Sequence, residues 1–169
     1  MIRASTRAGH EVVDALFGTF DLASAPSYGA MLLAHARALL PMEAWMAGGG
    51  VPLWEARGAA LCEDLRTLGL APPLVDALHW PSDEAAHWGT AYVLEGSRLG
   101  GAFIARQLPE GQPRAYLTRA HPPGHWQAFL AALDETASLR GTIWREDAIT
   151  AAQRAFETFA DAARFEAKS

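Results

Sequence analysis

In the segment Thr6-Arg-Ala-Gly-His10-Glu-Val-Val-Asp14-Ala-Leu-Phe17, an imidazole is followed by a carboxylate four residues on and by a phenyl ring three further. On a helix these side chains share one face. A histidine that binds a metal through Nε2 commonly donates its Nδ1–H to a carboxylate, which fixes the ring and raises its basicity, and Asp14 is placed for that role. Taken alone, the pair reads equally as an ordinary helical hydrogen bond. One histidine without clustered partners cannot hold bare zinc or non-haem iron, but it suffices where a porphyrin supplies four nitrogens and the protein an axial imidazole.

A second segment, YVLEGSRLGGAFIARQL from Tyr92 to Leu108, is helix-forming at both ends yet carries Gly96, Gly100 and Gly101 in its middle. Together these glycines remove about 2–3 kcal/mol of helix preference relative to alanine. Their spacing stacks Gly96 and Gly100 on one face with Gly101 beside them, a strip of bare backbone. Such a strip serves close helix packing, a transmembrane dimer seam or a flat ligand. Glu95, Arg98 and Arg106 exclude the membrane seam; the other two uses stay open.

The elements that must position these residues are helical. Apolar residues recur at helical rather than alternating spacing, alanine is frequent, and runs of Val, Ile and Thr are few, so the fold class is all-α. A first helix is expected from about Ile2 to Leu16, with Val13, Leu16, Phe17 and Phe20 facing inward. A second starts near Ser24-Ala25-Pro26 and ends at Gly48-Gly49-Gly50. A third occupies roughly Pro52 to Leu68 and stops at Gly69, ahead of Pro72-Pro73. Ser82 is the expected N-cap of a helix running to Leu108, with Asp83 and Glu84 complementing its dipole. Two more follow, near His125 to Thr136 and Arg145 to Ala167. Without internal repeat, low-complexity tract or long linker, residues 1–169 read as a single domain.

Half of the 169 residues are hydrophobic and one fifth charged, enough for one real core. A net charge of -5 argues against a nucleic-acid surface. A single cysteine, Cys62, excludes an internal disulfide and fits a reducing cytoplasm; its helical setting suits a small buried apolar residue. The N-terminus shows no signal peptide, and no apolar run is long enough to insert in a bilayer. His121 and His125 have the spacing of a helical metal pair, but Pro122 and Pro123 break the helix that pair needs, so they read as loop residues. His35 and His87 read as structural or exposed. The six tryptophans, spread along the chain without a basic frame, read as core and inter-helix packing. GSRLGG, with no preceding strand and no Gly-Lys-Ser/Thr, is not a nucleotide loop.

Arg3, Thr6 and His10, followed at this separation by Tyr92, Gly96, Ser97, Gly100 and Gly101, resemble the haem oxygenase family, especially its short bacterial members. Weaker similarity continues through His125-Trp126 to Asp134 and around Phe156 and Phe159. The resemblance implies a haem-oxygenase-like helical bundle with haem between a proximal N-terminal helix and a kinked, glycine-rich distal helix. It makes His10 the axial iron ligand, steadied by Asp14, and Gly96, Ser97, Gly100 and Gly101 the distal contacts. It directs Tyr92 and Arg3 toward a haem propionate, and makes Thr6 and Phe17 further cofactor contacts. Arg140, Arg145, Arg154 and Arg164 are candidate propionate partners toward the C-terminus.

The implied activity is the O2-dependent opening of haem b, both cofactor and substrate, to biliverdin with release of CO and ferrous iron. The resemblance implies electrons from an external ferredoxin, flavodoxin or reductase, and a role either in iron acquisition or in chromophore supply to a biliverdin-binding photoreceptor, between which the sequence does not choose. The alternatives are a haem carrier or sensor without turnover, and a related helical fold with another ligand or none. Mammalian members carry an aspartate where Ser97 stands; bacterial members carry serine.

Overall fold

The computed structural model describes residues 2–168, and regular structure among them is entirely helical. The helices are α1 (Ile2–Ser5), α2 (Arg7–Phe17), α3 (Ala25–Met46), α4 (Gly58–Thr67), α5 (Glu84–Ala105), α6 (His125–Arg140) and α7 (Thr142–Glu166). The boundaries differ from the sequence expectation where side chains take over backbone hydrogen bonds. The expected first helix is interrupted at Thr6, whose hydroxyl bonds the Ile2 carbonyl at 2.9 Å. Asp83, not Ser82, caps α5: its carboxylate accepts from the Ala86 N–H at 2.8 Å. Ser24 caps α3 as expected, with Pro26 in the first turn, and the helix continues past Pro41.

The third expected helix begins not at Pro52 but at Gly58, because Glu43 from α3 reaches across and accepts from the Arg57 and Gly58 N–H groups at 2.7 and 2.9 Å. That carboxylate satisfies the start of α4. Residues 51–57 form an irregular turn, in which Leu53 has φ +64°. At the other end of the chain, α6 reaches Arg140 and α7 starts at Thr142, the turn between them made by Gly141 at φ +90°. Arg140 therefore belongs to α6, where Glu84 of α5 binds it through both carboxylate oxygens.

The core is organised on α7. Its buried face is largely alanine, including Ala148, Ala151, Ala152, Ala155, Ala162 and Ala163, and small side chains let other helices come close. At Gly89 of α5, a Cβ would stand 2.0 Å from the Ala148 carbonyl oxygen, so α5 crosses α7 nearly backbone to backbone. At Gly9 of α2, a Cβ would stand 3.1 Å from Phe156. Both α2 and α5 lean on α7, whereas they share no extended packing with one another.

We expect Gly89→Ala to cost about 3 kcal/mol or more, because the obstructing atom is backbone. Gly100→Ala, whose Cβ meets nothing within 4 Å, should hold stability within about 1 kcal/mol of the parent. Urea unfolding of the two variants side by side checks both.

Candidate functional site

His10 lies on α2 with its Nδ1 3.0 Å from the Asp14 carboxylate and its ring edge-on to Phe156 of α7 at 5.9 Å. The close approach at Gly9 seats the helix on that phenyl ring. The His10 side chain is 63% exposed, and its Nε2 has no hydrogen bond among the described residues. At the start of α2 the buried Thr6 meets the Tyr92 hydroxyl of α5, with Arg3 nearby; burial raises the Tyr92 pKa. His10 is one turn along α2 from this contact and Gly96 one turn along α5, each about 6 Å of helix away. Helical geometry in α5 is unbroken from Glu84 to Ala105.

The three glycines do not share one environment. A Cβ on Gly100 would enter open space, and one on Gly96 would stand 3.4 Å from the Trp126 indole. Gly101 is buried instead against the segment after the helix, where a Cβ would stand 3.4 Å from the Leu117 carbonyl oxygen. Gly96 and Gly100 thus keep α5 bare, while Gly101 admits a loop.

Ser97 donates to the Leu94 carbonyl at 2.7 Å and accepts from the Arg57 guanidinium, a group the sequence did not single out. Arg57 is buried, lies 4.6 Å over the Tyr116 ring, and has its pKa pushed down by desolvation. Tyr116 is in turn 5.4 Å from His35, and His35 is 4.3 Å from Phe17. A continuous wall of Phe17, His35, Tyr116, Arg57 and Ser97 therefore connects α2 to α5. Asp64 of α4 holds the Tyr116 turn by accepting from the Ala115 and Tyr116 N–H groups at 3.0 and 2.8 Å. His35 faces the Met31 carbonyl through Nδ1 at 2.9 Å, and since a carbonyl only accepts, Nδ1 carries the proton. Burial lowers the His35 pKa to about 4.

On the other flank of α5, Glu95 is buried and accepts from Arg98 Nε at 3.0 Å and from the Glu55 N–H at 3.2 Å. His121 Nε2 stands 2.5 Å from the same carboxylate and His125 Nε2 3.8 Å. Pro122 and Pro123 do prevent a helix, as the sequence indicated, yet the two imidazoles stack at 4.7 Å and converge on Glu95. His121 lies outside the helices as expected and His125 opens α6; the tight turn between them brings the two imidazoles together as well as a helix would.

His87 is buried and stacked on Trp45 at 4.1 Å, a structural role as expected. Cys62 is half-buried rather than buried. The remaining candidate arginines have local partners: Arg145 bonds the Ala137 carbonyl at 2.8 Å, Arg154 lies 5.5 Å over Trp80, and Arg164 pairs with Asp161 at 2.8 Å.

Seven helices among the described residues, with no strand, make this an all-α protein of the haem oxygenase kind. The chain belongs to the haem oxygenase family: a heme oxygenase of Xanthomonas campestris pv. campestris (strain 8004) is 39% identical over 148 residues, covering 80% of this chain and 87% of that protein. No protein-family model matches the chain.

The buried His35 gives a pH dependence. Its folded pKa of about 4 lies below the ordinary 6.5, so between those values the unfolded state binds a proton that the folded state refuses. Stability then falls as pH drops through that window, by about 2–3 kcal/mol in all. Relative to the parent, His35→Gln should flatten this slope in urea titrations run from pH 7 to pH 4.

Proposed function

We propose that this protein opens haem to biliverdin, releasing CO and ferrous iron, with O2 and with electrons from an external ferredoxin, flavodoxin or reductase. One observation carries the reading: the imidazole-bearing α2 and the glycine-bearing α5 each lean on α7 instead of on each other, and α5 faces open space at Gly100. The residues present fit haem. His10 offers a free Nε2 while Asp14 holds its Nδ1, the arrangement a metal-ligating imidazole needs. Arg3 and Tyr92 offer a guanidinium fork and a hydroxyl to a propionate, and Thr6 and Phe17 flank the imidazole on the same helical segment.

Bound haem would supply an iron that binds and activates oxygen beside the ring it attacks. The chain's own residues do the rest. Gly100 leaves the α5 face open where a side chain would intrude on a bound haem, and Gly96 admits the Trp126 indole beside it. Ser97 and Arg57 give that side a hydroxyl and a buried guanidinium, hydrogen-bond donors where a carboxylate stands in mammalian members. A cation in a site of low dielectric stabilises developing negative charge more strongly than it would in water. The Phe17, His35 and Tyr116 side of the wall limits water entry.

Haemin added to the purified protein should bind stoichiometrically with an axial-imidazole spectrum, and His10→Ala should abolish that spectrum. Reductant and oxygen should then convert the absorbance to that of biliverdin; a stable ferrous complex yielding no bilin would instead identify a carrier. Gly100→Leu should keep the fold and haemin binding but block CO at the ferrous iron, and an unchanged CO affinity would put the ligand on another face.

A further inference from the structure

We propose that Glu95, His121 and His125, together with the Leu53 carbonyl, form a binding site for a first-row divalent cation of the Fe2+, Co2+, Zn2+ class on the flank of α5. The site is separate from the haem-ligand position assigned to His10, and it stands on geometry alone.

One oxygen of Glu95 lies 2.5 Å from His121 Nε2 and 3.8 Å from His125 Nε2, and one donor atom from each of the three residues falls within a 4.8 Å cluster. Ligands each about 2.1 Å from a tetrahedral ion stand roughly 3–3.5 Å apart, so small rotations of two stacked rings bring the set to coordination distance. Glu95 is 1% exposed and the His121 side chain 7%, which shields the donors from competing water.

Leu53 is an independent sign of a built site. Among the described residues it alone, apart from glycines, has positive φ, a conformation costing a side-chain-bearing residue about 1–2 kcal/mol. That turn aims its carbonyl at His125 Nε2, 2.8 Å away, so in the cation-free protein Nε2 carries the proton and donates to it; a bound cation would replace that proton, with the carbonyl beside it as a fourth donor.

Two imidazole nitrogens, a carboxylate and a carbonyl suit cations of intermediate softness rather than Ca2+ or Mg2+. Arg98 sets a limit. It holds the carboxylate through Nε while its charge opposes a second cation, so the site favours an ion that exchanges over one that stays. Ferrous iron is the member of this class that the proposed haem opening would release, and Glu95 directly precedes Gly96 in α5. That link rests on the proposed function; the cation site does not.

The test titrates Co2+ into haem-free protein and follows its visible d–d bands. Saturable binding of one ion per chain is expected, with His121→Ala and His125→Ala each weakening it at least about tenfold and His10→Ala leaving it unchanged. His125→Gln keeps an N–H donor for Leu53, so a folded His125→Gln variant that loses Co2+ separates ligation from folding. Absence of saturable binding, or binding indifferent to His125, would overturn the site. Anaerobic Fe2+ in large excess should displace Co2+, since Fe2+ binds such ligands more weakly than Co2+, and failure of excess Fe2+ to do so would overturn the link to released iron. Because no haem is present, neither result depends on whether the protein binds or opens it.

Discussion

α2 and α5 are both held by α7, which permits near contact of backbones. Gly89 lets α5 approach the Ala148 carbonyl, and Gly9 lets α2 sit on Phe156. Dispersion falls off steeply with separation, so such crossings concentrate much of the packing energy in a few residues. The alanine face of α7 makes both crossings available on one helix. With the bundle secured below, α2 and α5 do not need to close on each other, and the segment around Gly100 keeps its bare side without loss of stability elsewhere.

Buried charge organises the connections between helices. Glu43 caps α4, Asp64 fixes the turn carrying Tyr116, and Glu95 joins the 53–57 turn to the 119–125 turn through Arg98. Each carboxylate accepts backbone N–H groups, which offsets part of the cost of leaving water. Burial still raises the pKa values of Glu43 and Asp64. Arg57 links two of these units, its backbone bound to Glu43 and its guanidinium to Ser97. Loops that would otherwise fray are thereby held against α5, the helix that carries Gly96 and Gly100.

Local chemistry was legible in the sequence and distant pairing was not. The periodic apolar pattern gave the helices, and the i,i+4 spacing of His10 and Asp14 gave a contact that forms at 3.0 Å. The Gly96–Gly101 strip was visible as a strip, but its division into an open side at Gly100 and a packed side at Gly101 depends on where Leu117 folds back. The contacts that join Phe17, His35, Tyr116, Arg57 and Ser97 span 18 to 81 residues of sequence, beyond any periodicity argument. Glu95 and Arg98 at i,i+3 were a readable ion pair; that histidines across two prolines join them was not. Glycines 9 and 89 gave no sign at all, because their meaning lies in the backbone of another helix.

Trp126 has an optical consequence. Its indole lies against the bare backbone of Gly96, 5.7 Å from Tyr92 and 6.1 Å from the near-parallel His121 ring. The chain thus carries an intrinsic fluorophore beside Gly96 of α5. Any strongly absorbing occupant of that neighbourhood would announce its arrival and departure through intrinsic fluorescence, without a label.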